Sequence, residues 1–228
     1  MDNKIKVSFV IFDMDGLMFD TERLAMDAWG KACREAGLFV RQQDLNMMKG
    51  LSLDSSEKVM KKIIGKDFPF KEMHRQKEHY MLKHIGENGV PVKDGLYELL
   101  DFLEQKNILK AVATSTLRKK AEKLLEMAGI SARFDFIICG DEVKKGKPDP
   151  EIFITAVKKA GCPARECLVL EDSENGVIAA IKANTRVIFI KDMENIPAYL
   201  KDLIYKEFNS LKEFWSFLKN NLQFISKD

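Results

Sequence analysis

Five short apolar runs punctuate the chain: Val7–Phe12, Leu109–Ala113, Phe134–Cys139, Cys167–Leu170 and Arg186–Ile190. Most are continuous rather than alternating, the pattern of strands covered on both faces. Stretches of helical composition separate the later runs, at Leu117–Ala128, Asp149–Ala160 and Gly176–Ala183, and Val92–Lys106 reads as a helix leading into the second run. Strand and helix in alternation predict an α/β fold built on a doubly wound parallel sheet.

One spacing breaks the alternation. Roughly a hundred residues lie between the first and second runs, far more than one crossover helix needs. Thr21–Glu35, Ser55–Ile64 and Lys71–Ile85 within that gap all have helical composition. The spacing predicts a second, smaller, all-helical domain over 20–88, inserted into a core made of 1–19 and 89–228. In the tail, Leu211, Phe214, Trp215, Leu218 and Leu222 recur at helical spacing within Ser210–Phe224, which predicts a helix packed on the sheet.

The polar residues that follow each strand carry the chemistry. The first run ends in Asp13-Met14-Asp15-Gly16 and the second in Thr114-Ser115-Thr116. The third leads to Gly140-Asp141-Glu142 and then Gly146-Lys147-Pro148, and the fourth ends in Glu171-Asp172-Ser173. In an open parallel sheet the carboxyl ends of the strands share one edge, and ligands bind there. Each cluster alone reads as a turn or a helix cap; their order after successive strands predicts one convergent site. Clustered acids repel unless a cation lies among them. Oxygen ligands without His or Cys favour a hard cation, with Mg2+ the default. Lys147, the hydroxyls of Thr114 and Ser115, and the turn amides after Asp13 suit a phosphoryl group. A carboxylate nucleophile facing a metal and a lysine is an arrangement for phosphoryl transfer.

Charge and composition narrow the partners. The 37 basic residues nearly cancel the 35 acidic ones, for a formal net charge of +2, which gives no electrostatic case for nucleic acid. No apolar run approaches the ~20 residues needed to span a bilayer, so no membrane association is expected. The N-terminus has no signal-peptide pattern, and Cys33, Cys139, Cys162 and Cys167 form no Cys-x-x-Cys pair. Reduced thiols and a cytoplasmic location are expected. His74, His79 and His84 recur every five residues, which fans them around a helix by about 140° per step instead of building a zinc face. A monomer is the default expectation.

These residues resemble a known family. Asp13-Met14-Asp15-Gly16, with Asp20-Thr21-Glu22 following, is similar to the first motif of the haloacid dehalogenase superfamily. Thr114, Lys147 and the Glu171-Asp172 pair resemble its second, third and fourth motifs. The resemblance covers nearly the whole chain and points to the subgroup containing beta-phosphoglucomutase and related phosphatases. It implies a Rossmann-like core, a helical cap that opens and closes and sets specificity, and a small phosphorylated metabolite as substrate. It also implies roles. Asp13 is the nucleophile and Asp15 the general acid/base. Thr114 and Lys147 hold the phosphoryl oxygens, helped by amides of Met14, Asp15 and Ser115. Magnesium is held by Asp13 and Asp172, by the carbonyl of Asp15, and by Glu171 through water.

The expected activity is magnesium-dependent hydrolysis of small phosphate monoesters, of the sugar-phosphate or nucleotide class, through an aspartyl phosphate. The alternative is a beta-phosphoglucomutase-type mutase. In such mutases a loop similar to Lys49-Gly50-Leu51-Ser52 continues with an arginine that grips the second phosphate; here Leu53 follows. A leucine cannot pair with a dianion, although a cap lysine such as Lys77 could compensate. Dehalogenase chemistry does not need Glu171 and Asp172. A non-catalytic binding module would not need Asp13, Asp15, Lys147 and Asp172 together.

Overall fold

A computed structural model describes residues 5–48, 53–193, 195–220 and 225–226. The chain divides into two compact units, one formed by 1–19 with 92–228 and the other by 20–91.

The first unit is built on a six-stranded sheet. Its strands are β2 (Phe9–Phe12), β3 (Leu109–Ala113), β4 (Phe136–Ile138), β5 (Cys167–Glu171), β6 (Arg186–Ile190) and β7 (Lys206–Phe208), in the order β4-β3-β2-β5-β6-β7. Every pairing is parallel. β1 (Ile5–Lys6) pairs separately with β8 (Ile225–Ser226). β2 pairs with both β3 and β5, so the strand order reverses beside it. That reversal opens the crevice in which such sheets bind ligands.

Period-two geometry explains why the runs are continuous. Phe9 and Ile11 face a core shared with Ala111, Ala113, Val169 and Phe189 and with helices α7 (Glu151–Ala160) and α8 (Glu174–Lys182). Val10 and Phe12 alternate to the opposite face and are equally buried. There α5 (Leu96–Gln105) meets β3, and α9 (Leu211–Asn220) meets both α5 and β7. α9 buries Leu211, Phe214 and Leu218, as the tail spacing predicts, with Phe214 5.2 Å from the ring of Phe208; Leu222 lies outside the described residues. α6 (Arg118–Met127) follows β3. β7 is the strand the sequence does not announce: of Lys206, Glu207 and Phe208, only Phe208 is buried.

The second unit holds α1 (Thr21–Glu35), α2 (Gln42–Asn46), α3 (Leu53–Ile64) and α4 (Phe70–Asn88). Met26, Trp29, Cys33, Leu45, Met48, Met60 and Phe70 form its core, with thioethers filling gaps between rings. His74 stacks on Phe70 at 6.2 Å. Gly89–Pro91 stays with this unit, and Pro91 O accepts from Asp20 N. Among the described residues, no helix is long and apolar enough to cross a membrane.

Candidate active site at the sheet switch point

Asp13 continues β2 by one residue, its N–H donating to Leu170 O across the pairing with β5. The chain then folds into a tight turn in which Met18 and Phe19 N–H groups both donate to Met14 O, and Gly16 N–H donates to Phe19 O. Gly16 has φ +88°, a conformation that L side chains rarely adopt. A Cβ there would lie 2.1 Å from Asp172 Oδ2. The glycine therefore allows the turn after β2 to close against the acid that follows β5.

Glu171 ends β5 with no exposed surface. Its Oε2 accepts from Asp172 N, Ser173 N and Ser173 Oγ at 3.0–3.2 Å. Ser173 Oγ in turn accepts from Gly176 N and caps α8. Glu171 Oε1 accepts from Lys147 Nζ at 2.6 Å. The same ammonium donates to Asp13 Oδ1 and, at 3.1 Å, to Ala113 O. A lysine carries three donors, and these partners come from three adjacent strands. Lys147 also lies 5.0 Å over the ring of Phe153. Its peptide bond to Pro148 is cis.

Burial dominates the electrostatics. It pushes the Asp13 carboxyl up to about 8; Lys147 opposes that rise, while Glu171 and Asp15 add to it. Burial also works against the charge on Lys147, but Asp13 and Glu171 outweigh it and hold the ammonium above its usual range. Asp13, Glu171 and Asp172 each offer an oxygen, all within 4.8 Å of one another. An oxygen-only donor set of three acids fits a hard dication, whose opposed ligands at 2.0–2.1 Å lie about 4 Å apart.

A model of the haloacid dehalogenase-like hydrolases matches residues 10–190. The chain belongs to this family. The phosphorylated carbohydrates phosphatase of Thermotoga maritima is 32% identical to this hydrolase over 186 residues, 79% of this chain and 83% of that protein. Pyrophosphatase PpaX of Bacillus velezensis is 26% identical over 90% of this chain and 95% of its own. The structure of beta-phosphoglucomutase from Clostridium difficile superposes with a TM-score of 0.73 at 25% identity, covering 94% of this chain and 96% of that one.

The hydrolase brings together Asp13, Lys147, Glu171 and Asp172. Thr114 joins them through its neighbour Ala113, whose carbonyl accepts from Lys147. Thr114 is buried, and its Oγ1 accepts from Thr116 N at 3.0 Å; a hydroxyl that accepts still has its own proton to donate. Met14 is wholly buried. Ser115 is exposed at the loop. Sequence reasoning missed one partner of Asp15: its Oδ2 accepts from Thr116 Oγ1 at 2.7 Å. Only the crowding of three hydroxyl residues at the end of one strand hinted at it.

Proposed function

We propose that this hydrolase is a magnesium-dependent phosphatase acting on small phosphate monoesters through an aspartyl phosphate on Asp13. One observation carries the reading: a buried carboxylate at the switch point, tied to Lys147 and sharing its oxygens' neighbourhood with Glu171 and Asp172. Asp13 and Asp172 would hold the ion with their carboxylates, Asp15 with its carbonyl, and Glu171 through water. When bound, magnesium would offset the charge of the phosphoryl group.

Asp13 attacks phosphorus, and the bond from phosphorus to the alcohol oxygen breaks. Asp15 gives that oxygen a proton. Water then attacks the aspartyl phosphate and yields its proton to Asp15, and the bond to Asp13 breaks to release phosphate. Lys147 holds the nucleophile between turnovers and turns its charge to the phosphoryl oxygens during them. Thr114 and the amides of Met14, Asp15 and Ser115 complete their cradle.

The helical unit, 20–91, is assigned the role of cap and the choice of substrate, on the resemblance of its place in the chain. Sugar phosphates lead the substrate class, supported by the name of the Thermotoga relative; nucleotides follow. The fold likeness to a beta-phosphoglucomutase favours a mutase as the second reading. Against it stands Leu53, the exposed first residue of α3; the loop 49–52 before it lies outside the described residues. The four free thiols support a reducing, cytoplasmic setting, and the proposed working form is a monomer.

Phosphate release from a panel of sugar phosphates, nucleoside 5'-monophosphates and p-nitrophenyl phosphate, with and without chelator, tests the reading. Chelator-sensitive release that falls at least about 10³-fold in Asp13→Asn is expected. An active Asp13→Asn variant, or release that ignores chelator, would overturn it. Conversion of beta-glucose 1-phosphate to glucose 6-phosphate without net phosphate release would hand the site to the mutase reading.

A further inference from the structure

Asp15, Thr116 and Gly140 follow three adjacent strands, β2, β3 and β4, and a short chain of hydrogen bonds links them across the sheet edge. Gly140 N–H donates to Thr116 O at 3.1 Å. Thr116 N–H donates to Thr114 Oγ1 at 3.0 Å. Thr116 Oγ1 donates to Asp15 Oδ2 at 2.7 Å. Two residues on, Arg118 N–H donates to Asp141 Oδ1 and its guanidinium to Ile137 O, which fastens the same loop to the β4 side again. Thr116 therefore hangs from a backbone held at both its N–H and its C=O. Its β-branched side chain has few rotamers to choose from. The hydroxyl reaches Asp15 from a fixed platform rather than from a loose loop.

A carboxyl group that exchanges a proton with substrate must present one particular oxygen. A hydroxyl hydrogen directed at Oδ2 restrains the rotation of the carboxyl about its Cβ–Cγ bond. We propose that Thr116 is a positioning residue for Asp15, its hydrogen bond to Oδ2 turning the carboxyl so that the carboxyl proton meets the leaving oxygen. The proposal rests on Asp15 being the acid/base of the reaction. In the first half-reaction the Asp15 proton passes to the alcohol oxygen as its bond to phosphorus breaks; in the second, the attacking water returns a proton to Asp15. Thr116 keeps its own proton throughout.

Leaving-group dependence separates positioning from packing. An alkoxide leaves slowly unless protonated, whereas p-nitrophenolate departs without a proton. The experiment measures kcat/KM, which reports the first phosphoryl transfer, for p-nitrophenyl phosphate and for the sugar phosphate or nucleoside 5'-monophosphate that wild type turns over fastest. Thr116→Val keeps the shape and removes the hydroxyl; Thr116→Ala gives a second hydroxyl-free variant should the valine fail to fold, and thermal melts report folding. Both are expected to lose about 10- to 100-fold on the alkyl phosphate and less than about threefold on p-nitrophenyl phosphate. Thr116→Ser is expected to restore the alkyl phosphate activity to within about threefold of wild type. Equal losses on the two substrates, or no loss on either, would overturn the proposal. Asp15→Asn run in parallel tells the two failures apart. If it discriminates between the substrates and Thr116→Val does not, Thr116 is not the positioning residue. If Asp15→Asn itself shows no discrimination, the acid/base reading of Asp15 falls first.

Discussion

Lys147 sits where charge matters most. Its ammonium faces two buried carboxylates, Asp13 and Glu171, and fills its remaining donor on a main-chain carbonyl. Removing one member of a buried ion cluster strands the others and costs about 3–5 kcal/mol. Lys147→Met in chelator is therefore expected to lower the unfolding free energy by about that much in urea titrations. Above about pH 8, where Asp13 of the wild type is ionised, Lys147→Met combined with Asp13→Asn is expected to recover part of the loss, because the carboxyl that lost its partner is gone. Additive losses in the double variant would mean the pair is not coupled. At this scale the sequence pointed to residues gathered at one sheet edge, not to the contacts among them. Asp13, Lys147, Glu171 and Asp172 could be read because each ends a strand, follows one or lies in the loop after one. The task of Thr116 could not, because its hydrogen bond to Asp15 spans 101 positions and the residue also reads as a cap. The grip of Lys147 on Asp13 and Glu171 was likewise hidden, since a Gly-Lys-Pro turn does not show which way the ammonium points.

Among the elements, the strands buried on both faces were legible from their unbroken apolar runs. β7 and α2 were not, because a three-residue edge strand and a single short helix carry too few apolar positions to mark a period. Nor does the sequence reveal how tightly α8 presses on the end of β5. A Cβ at Gly176 would lie 1.9 Å from Glu171 Oε1. Helix propensity favours alanine there by about 1 kcal/mol. Overpacking costs about 1–3 kcal/mol, and Glu171 cannot yield, because Lys147, Ser173 and two backbone amides hold it. Overlap should win. Gly176→Ala is expected to lower the melting temperature and reduce metal-dependent phosphate release about tenfold or more. A more stable, fully active variant would show that Glu171 has room to move.

For the whole molecule, the acidic cluster links folding to pH. Burial raises Asp13 from 3.8 to about 8. Between those values the folded, metal-free chain holds a proton that the unfolded chain has released. Stability therefore falls as pH rises through this window. In chelator, the melting temperature of wild type is expected to drop from about pH 5 to about pH 8, and Asp13→Asn to lack that part of the drop. Magnesium bound as proposed would compete with the same proton, so its stabilisation should be larger at the higher pH. A stabilisation by magnesium that does not change with pH would contradict the assignment of Asp13 as a ligand. The helical unit, by contrast, shows how far a sequence pattern reaches. Helical composition told of an inserted helical segment; Met48 and Met60 lie in its core, whereas Met47 is exposed. A substrate-selecting role for it is not legible in that pattern, because specificity depends on where side chains meet a ligand and not on their period.

The proposed chemistry turns on a phosphoryl group carried by Asp13. The most direct measurement quenches the enzyme with acid during turnover of its best substrate and maps the modified peptide by mass. One added phosphoryl group on Asp13 is expected in the wild type and none in Asp13→Asn. A phosphoryl group on any other residue, or steady turnover by Asp13→Asn, would contradict it.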